Sequence, residues 1–363
     1  MANSMIPVTI LTGFLGSGKT TLLKRILNEQ HGMKIAVIEN EFGEENIDNE
    51  ILVQDSQEQI IQMSNGCICC TIRGDLARVL GDLAQQKRDG KLDFDRVVIE
   101  TTGLANPGPV AQTFFMDNEI ADEFLLDAII TLVDAKHGHQ QLDEHEVVQR
   151  QVGFADRLFV TKADLVDENV LDDLRHRLLH MNPRAQIRQV NFGEADIKEV
   201  FDLRGFNLNA KLEIDPDFLA EDDHAHDHDH GHDHADDHAN CDHDHGTCNH
   251  EGHDHGHHHH HAHHDDKIKS FVYRSDRPFD PNRLEDFLGG ILQIYGERLL
   301  RYKGVLYMKG VDRKVVFQGV HQMMGSDLAA KWLPVEKKGS KMVFIGIELP
   351  QDLITDGLDA CLA

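Results

Sequence analysis

The stretch Gly13-Phe14-Leu15-Gly16-Ser17-Gly18-Lys19-Thr20, GFLGSGKT, decides the fold. It fits the spacing G-x-x-x-x-G-K-[ST], directly after an apolar run at Val8–Leu11 and directly before a segment of helical period at Thr20–Gln30. A merely flexible strand-to-helix turn would need neither the Lys nor the Thr. Glycines at Gly13, Gly16 and Gly18 let the backbone curl so that successive N–H groups and the helix N-terminus surround phosphates. Lys19 is expected against the β- and γ-phosphates and Thr20 on Mg²⁺.

Outward from this loop, short apolar runs alternate with amphipathic segments as far as about residue 205. PVTIL, KIAVIE, RVVIE, DAIITLVDA and DRLFVTK predict strands. Thr20–Gln30, Arg73–Gln86, Pro109–Phe115, His145–Val152 and Asn169–His180 predict helices. Near-continuous Val/Ile/Leu runs separated by helices indicate a parallel sheet covered on both faces. The expectation is an α/β fold, a P-loop NTPase with a doubly wound, mostly parallel sheet. From Ile268 a second folded piece follows: KIKSFVYRSD, a helix at Pro281–Tyr295, GVLYMKG, KVVFQGV, MVFIGIEL and a helix from Gln351. Strand, helix, two or three strands and helix predict a smaller C-terminal α+β domain, one sheet face covered by helices.

The 363 residues carry 36 Lys plus Arg against 63 Asp plus Glu, a net charge of −27. That balance argues against a nucleic-acid or anionic-membrane partner. Residues 221–266 hold 14 of the acids, 19 of the 26 histidines and no Lys or Arg. The first residues lack a basic leader before an apolar run, and no run approaches the ~20 residues of a membrane span. Six clustered cysteines do not make a disulfide framework. A cytoplasmic protein is expected.

FVTKADLVD places Lys162 and Asp164 at the end of a later strand, where the base of a bound nucleotide lies in a P-loop domain. A carboxylate there accepts two N–H bonds from guanine, whereas adenine leaves it poorly paired, so Asp164 argues for GTP over ATP. Lys162 would lie along the base plane. The other reading is a surface Asp beside a helix start. VVIETTGLANP gives Glu100-x-x-Gly103 at another strand end: the carboxylate can hold the Mg²⁺ hydration shell or orient a water, and the glycine lets a backbone N–H approach the γ-phosphate. Alternatively Gly103 simply ends the strand.

GFLGSGKTTLL, IENEFGE, NGCICC, ETTGLANP and TKADLVD, in this order, resemble the CobW-like metallochaperone GTPases, and RYKGVLYMKG, FQGVHQ and MVFIGIELP resemble the C-terminal domain of that family. The likeness covers the chain except residues 216–266. It implies a protein that hydrolyses GTP to GDP, binds Zn²⁺ or a similar ion such as Co²⁺ or Ni²⁺, and delivers it to a client metalloprotein. Residue by residue, Gly13–Thr21 match the phosphate loop, Ser17 and Thr21 included. Glu39–Glu44 match the first switch, Glu100–Gly103 the second, Lys162 and Asp164 the guanine reader, and Cys67, Cys69 and Cys70 the C-x-C-C metal motif. Thr161 departs from the Asn that many GTPases carry. The expected organisation is a GTPase domain at 1–210, a disordered acidic His-rich metal-binding linker at 211–267 and a C-terminal domain at 268–363. A homodimer is compatible with it.

Read on their own, the three thiols of GCICC admit several uses. Adjacent cysteines strain badly when bridged. Cys67 and Cys70 have redox C-x-x-C spacing, and one or two buried thiols can be mere packing. Three thiolates suit Zn²⁺ but leave a tetrahedral ion one ligand short, which water, Glu39, Glu41 or Glu44 can supply. The tract at 224–266, with Cys241 and Cys248, reads as a metal-collecting antenna rather than a solvated acidic linker. Other classes compatible with parts of this pattern are a metal buffer with regulatory GTP binding and a P-loop small-molecule kinase.

Overall fold

The computed structural model describes residues 5–29, 31–39, 60–62, 72–206, 266–334 and 336–363. The cysteine stretch at 67–70, Glu41, Glu44, the side chain of Glu39 and the His-rich tract lie outside the described residues.

Among the described residues seven strands form the first sheet: β1 (Ile6–Gly13), β2 (Ile35–Glu39), β3 (Ile60–Gln62), β4 (Arg96–Glu100), β5 (Phe124–Asp134), β6 (Arg157–Thr161) and β7 (Gln186–Gln189). Their order is β3-β2-β4-β1-β5-β6-β7 and every pairing is parallel. Apolar side chains on both faces of β1, β4 and β5 are buried, as near-continuous apolar runs require. Helices α1 (Lys19–Asn28), α2 (Ile72–Arg88), α3 (Pro107–Met116), α4 (Asn118–Glu123), α5 (Gly138–Glu144), α6 (Glu146–Phe154), α7 (Glu168–Met181) and α8 (Ile197–Val200) connect them. The doubly wound expectation holds. β3 and β7 escaped sequence reasoning because they are edge strands of three and four residues, and QIRQ of β7 is mostly exposed and carries no apolar run.

Register decides where the site lies. Glu39 pairs with Glu100, Leu11 with Glu100, and Asp134 with Thr161. The C-terminal ends of β2, β4, β1, β5 and β6 therefore form one edge, the edge on which open parallel sheets bind ligands.

The second sheet is antiparallel, in the order β11-β10-β9-β12-β8, from β8 (Ile268–Ser275), β9 (Leu299–Leu306), β10 (Arg313–Val320), β11 (Met323–Lys331) and β12 (Ser340–Ile347). Helices α9 (Pro281–Tyr295) and α10 (Gln351–Ala360) cover one face around Phe279, Tyr302, Phe317 and Phe344. The sequence pattern missed β11, MMGSDLAAK, because an exposed edge strand needs no alternation of apolar residues. The opposite face is covered as well: Val305, Val316, Val320, Val343 and Ile345 join one core with Val152 and Phe154 of α6.

Polar contacts fix that junction. Arg301 pairs with Asp156 at 2.8 Å, both almost wholly buried, donates to the Gly205 carbonyl and lies over the Phe206 ring. Such a buried pair adds little net stability, yet removing one partner strands the other charge. Asp266, at the C-terminal end of the His-rich tract, is buried against Arg177 of α7 at 2.6 Å. Among the described residues no helix is long and apolar enough to cross a membrane.

Candidate nucleotide site

The loop after β1 adopts the geometry that its glycines allow. Gly13, Gly16 and Gly18 have φ of 141°, 73° and 96°, in the region that side-chain-bearing residues avoid. A Cβ at Gly13 would collide with the Leu132 carbonyl of β5. Gly18 is the N-cap of α1, so the first free N–H groups of that helix face the loop interior. Ser17 is buried within the loop, and its hydroxyl has no partner among the described residues. Thr21, also expected to bind, lies in the first turn of α1 and is exposed.

Lys19 curls back over the loop, its ammonium donating to the carbonyls of Gly13 at 2.9 Å and Phe14 at 3.1 Å. Burial lowers its pKa, and the Glu100 carboxylate opposes that shift. A cation held in such low-dielectric surroundings attracts phosphate more strongly than one in water. Beside it, the Thr20 hydroxyl donates to Glu100 Oε1 at 2.9 Å, bringing together the two residues expected around Mg²⁺. A hydroxyl and a carboxylate at the foot of a phosphate loop are the hard oxygen ligands this ion takes, so the donor set fits it.

The turn after β4 presses on the loop. Thr101 N donates to the Leu11 carbonyl and the Thr101 hydroxyl to that of Thr12, tying the ends of β4 and β1 together. At Gly103 the backbone comes so close that a Cβ would stand 2.6 Å from Leu15 N. Gly103 is thus a point of backbone approach rather than a strand terminator. Sequence reading missed Gln151 of α6, which donates to the carbonyls of Gly103 and Ala105, each at 3.1 Å. A Gln inside a helix gives no signal of the turn it meets.

At the other end of the edge, Lys162 stands at φ 56° and begins a 3₁₀ turn, Ala163–Leu165, that leaves Asp164 exposed. The Lys162 ammonium binds Asp134 Oδ2 at 2.7 Å. Asp134 also accepts from the backbone N–H groups of Lys136 and His137 and from His137 Nδ1. Burial pushes its pKa up, but the bonds from Lys162 and His137 outweigh burial and hold it below the usual value. The carboxylate at the tip of TLVDA was a readable signal that sequence analysis did not use. Thr161, the residue that departs from the common Asn, donates its hydroxyl to the Ser17 carbonyl at 2.9 Å and so supports the phosphate loop from β6. Ala163 N donates to Asn191 Oδ1, joining the 3₁₀ turn to the loop after β7.

Lys19, Thr20, Glu100, Gly103, Lys162 and Asp164 thus share one strand-end edge, and the backbone of Glu39 ends β2 beside Glu100. His137, His139 and His145 do not converge: they meet Asp134, Arg177 and the Phe14 ring respectively. No group of three or more potential metal-ligating side chains occurs among the described residues.

Comparison with known proteins agrees with this geometry. Residues 7–189 match the CobW/HypB/UreG nucleotide-binding domain, and residues 268–362 the cobalamin synthesis protein cobW C-terminal domain. The chain is 39% identical over 350 residues to the zinc chaperone YjiA of Escherichia coli, covering 96% of each. It is 33% identical over 390 residues to the zinc chaperone CobW of Pseudomonas aeruginosa, covering 99% of this chain and 92% of that one. The crystal structure of Zn(II)-bound YjiA GTPase from E. coli superposes with a TM-score of 0.74 at 34% identity, covering 99% of this chain and 100% of that one.

Proposed function

The chain belongs to the CobW/HypB/UreG family, and from that premise we propose that it is a GTP-hydrolysing metallochaperone. It binds Zn²⁺ or a similar ion at Cys67, Cys69 and Cys70 and passes it to a client metalloprotein under nucleotide control, in a reducing cytoplasm that keeps the thiolates available. The likeness to relatives named zinc chaperones supports the metal. The observation that carries the reading is the gathering of phosphate loop, Glu100, the Gly103 turn and the Lys162–Asp164 reader on one sheet edge, beside the end of β2 from which the ENEFGE stretch departs.

In this reading Lys19 and the N–H groups of the loop and α1 neutralise the β- and γ-phosphates. Thr20 and Glu100 would hold Mg²⁺, which when bound supplies further neutralisation of charge on the phosphates. Glu100, fixed by the Thr20 hydroxyl, orients a water whose oxygen bonds to the γ-phosphorus as the bond to the bridging oxygen breaks; the water's proton passes to a phosphate oxygen, and GDP and inorganic phosphate leave. Gly103 brings its turn close enough for a backbone N–H to meet the γ-phosphate. Asp164 accepts the guanine N–H groups, and Lys162, steadied by Asp134, lies along the base. The cargo ion sits on three thiolates, with Glu39 or Glu44 as the fourth ligand, so movement of the first switch changes the grip.

The test is the Zn²⁺ affinity of the full chain loaded with GDP or with a non-hydrolysable GTP analogue. A difference of about tenfold or more is expected, the coupling reciprocal between the two ligands. It should vanish on changing Cys67, Cys69 and Cys70 to Ser, while weaker binding by the His-rich tract persists. Equal affinities in the two nucleotide states would refute the coupling, and an unchanged difference in the triple Ser variant would refute the site.

A further inference from the structure

Helix α6 carries Gln149 and Gln151, and a step of two residues on a helix turns the side chain by about 200°. The two amides accordingly serve opposite sides. Gln149 Oε1 accepts from the backbone N–H groups of Lys267 at 3.0 Å and Ile268 at 3.3 Å, next in sequence to the His-rich tract. Gln151 is wholly buried and donates its Nε2 to the carbonyls of both Gly103 and Ala105. Those two carbonyls also fix the amide's orientation, because the flipped form would set oxygen against oxygen.

The remaining acceptor is unusual. Gln151 Oε1 is buried without a hydrogen-bond partner among the described residues, a condition that folded proteins rarely tolerate. It lies beside a turn whose backbone already touches the phosphate loop at Leu15. Any displacement of that turn must break the two bonds to Nε2 or drag α6 with it. The same helix is wedged into the second sheet: a Cβ on Gly153 would lie 2.7 Å from Leu300 Cδ1 and 3.3 Å from Ile268 Cγ2, and the Phe154 ring meets His321 edge-on.

We propose that Gln151 is a positioning residue for GTP hydrolysis, holding the Gly103–Ala105 turn, and that α6 carries the state of that turn to the start of β8 at Lys267–Ile268 through Gln149. The inference rests on the GTPase reading above and adds a residue and a route to it. A purely structural Gln151 would weaken GDP and GTP binding alike, since both nucleotides use the phosphate loop. A positioning residue acts only where the γ-phosphate is present.

The test uses the full chain and two substitutions, Gln151→Glu, which keeps the shape but removes the donor, and Gln151→Met. Turnover and affinity for a non-hydrolysable GTP analogue should each fall about tenfold or more, with GDP affinity within about threefold of wild type. In wild-type protein, amide exchange at Lys267 and Ile268 should differ between the GDP and analogue states, and the difference should disappear in Gln151→Glu. Parallel losses of GDP and analogue affinity, or unchanged turnover in a folded variant, overturn the positioning role. Equal exchange in the two states of the wild type overturns the route without needing any variant. Absence of GTP hydrolysis by the wild type would instead sink the functional reading beneath it.

Discussion

Replacing Gly103 by Ala tests whether the turn after β4 must touch the phosphate loop. The added Cβ would lie 2.6 Å from Leu15 N and 2.8 Å from Leu15 Cα, both backbone atoms of the loop itself. Ordinary contact between such atoms is about 3.5 Å, so loop and turn must part by roughly 0.7–0.9 Å. Gly103 has no positive φ, so the effect is this collision alone and not backbone strain. A misplacement of about 1 Å at a reacting centre costs on the order of 10²-fold, or about 2.7 kcal/mol of barrier. Single-turnover phosphate release should therefore slow by about that factor. In the proposed reading only the γ-phosphate meets the turn, so GDP affinity, followed by fluorescence of a labelled analogue, should stay within about threefold. Hydrolysis within a few-fold of wild type in folded Gly103→Ala protein would refute the reasoning.

Two further outcomes follow from the same geometry. Asp164→Ala removes the exposed carboxylate proposed to read guanine, and losing two charge-assisted hydrogen bonds should weaken GTP by about 10²-fold or more while leaving ATP affinity as it was; competition binding with the two nucleotides decides it. His321 is nearly buried, its Nδ1–H donating to the Gly296 carbonyl. Burial lowers its pKa, as does the charge of Arg150, against hydrogen bonds to the backbone at Gly296, Leu299 and Glu297 that raise it. A base with a depressed folded pKa takes up its proton more readily when unfolded. The stability it contributes is therefore complete above about pH 6.5 and is lost as pH falls from there toward the folded pKa. Thermal unfolding of wild type between about pH 7.5 and about 5.5 should fall more steeply than that of His321→Gln. Parallel slopes would remove His321 from the account.

The P-loop fold was legible because its signals are local. GFLGSGKT specifies its own turn through three glycines at positive φ, and the runs at 6–13, 96–100 and 124–134 are apolar on both faces because helices cover both. The candidate site residues at strand ends were legible for the same reason, since a parallel sheet brings the ends of its strands to one edge whatever the loops between them do. Edge strands β3, β7 and β11 were not: a strand bordered by solvent needs no apolar pattern. The C-terminal domain was legible as well, with the helix-covered face of its sheet, but not that the other face packs on α6, across more than a hundred residues of sequence.

What the sequence by itself determined is the phosphate loop, the order of elements and the residue types available for nucleotide and metal, because each depends on neighbours within a turn or a strand. Only the tertiary structure decided that Thr161 braces the phosphate loop at Ser17, that Asp134 steadies Lys162, and that Gln151 clamps the turn at Gly103. Those contacts join residues 144, 28 and 48 positions apart. Nothing in the local chemistry of a Thr, an Asp or a Gln states which distant backbone it will meet once the strands are in register.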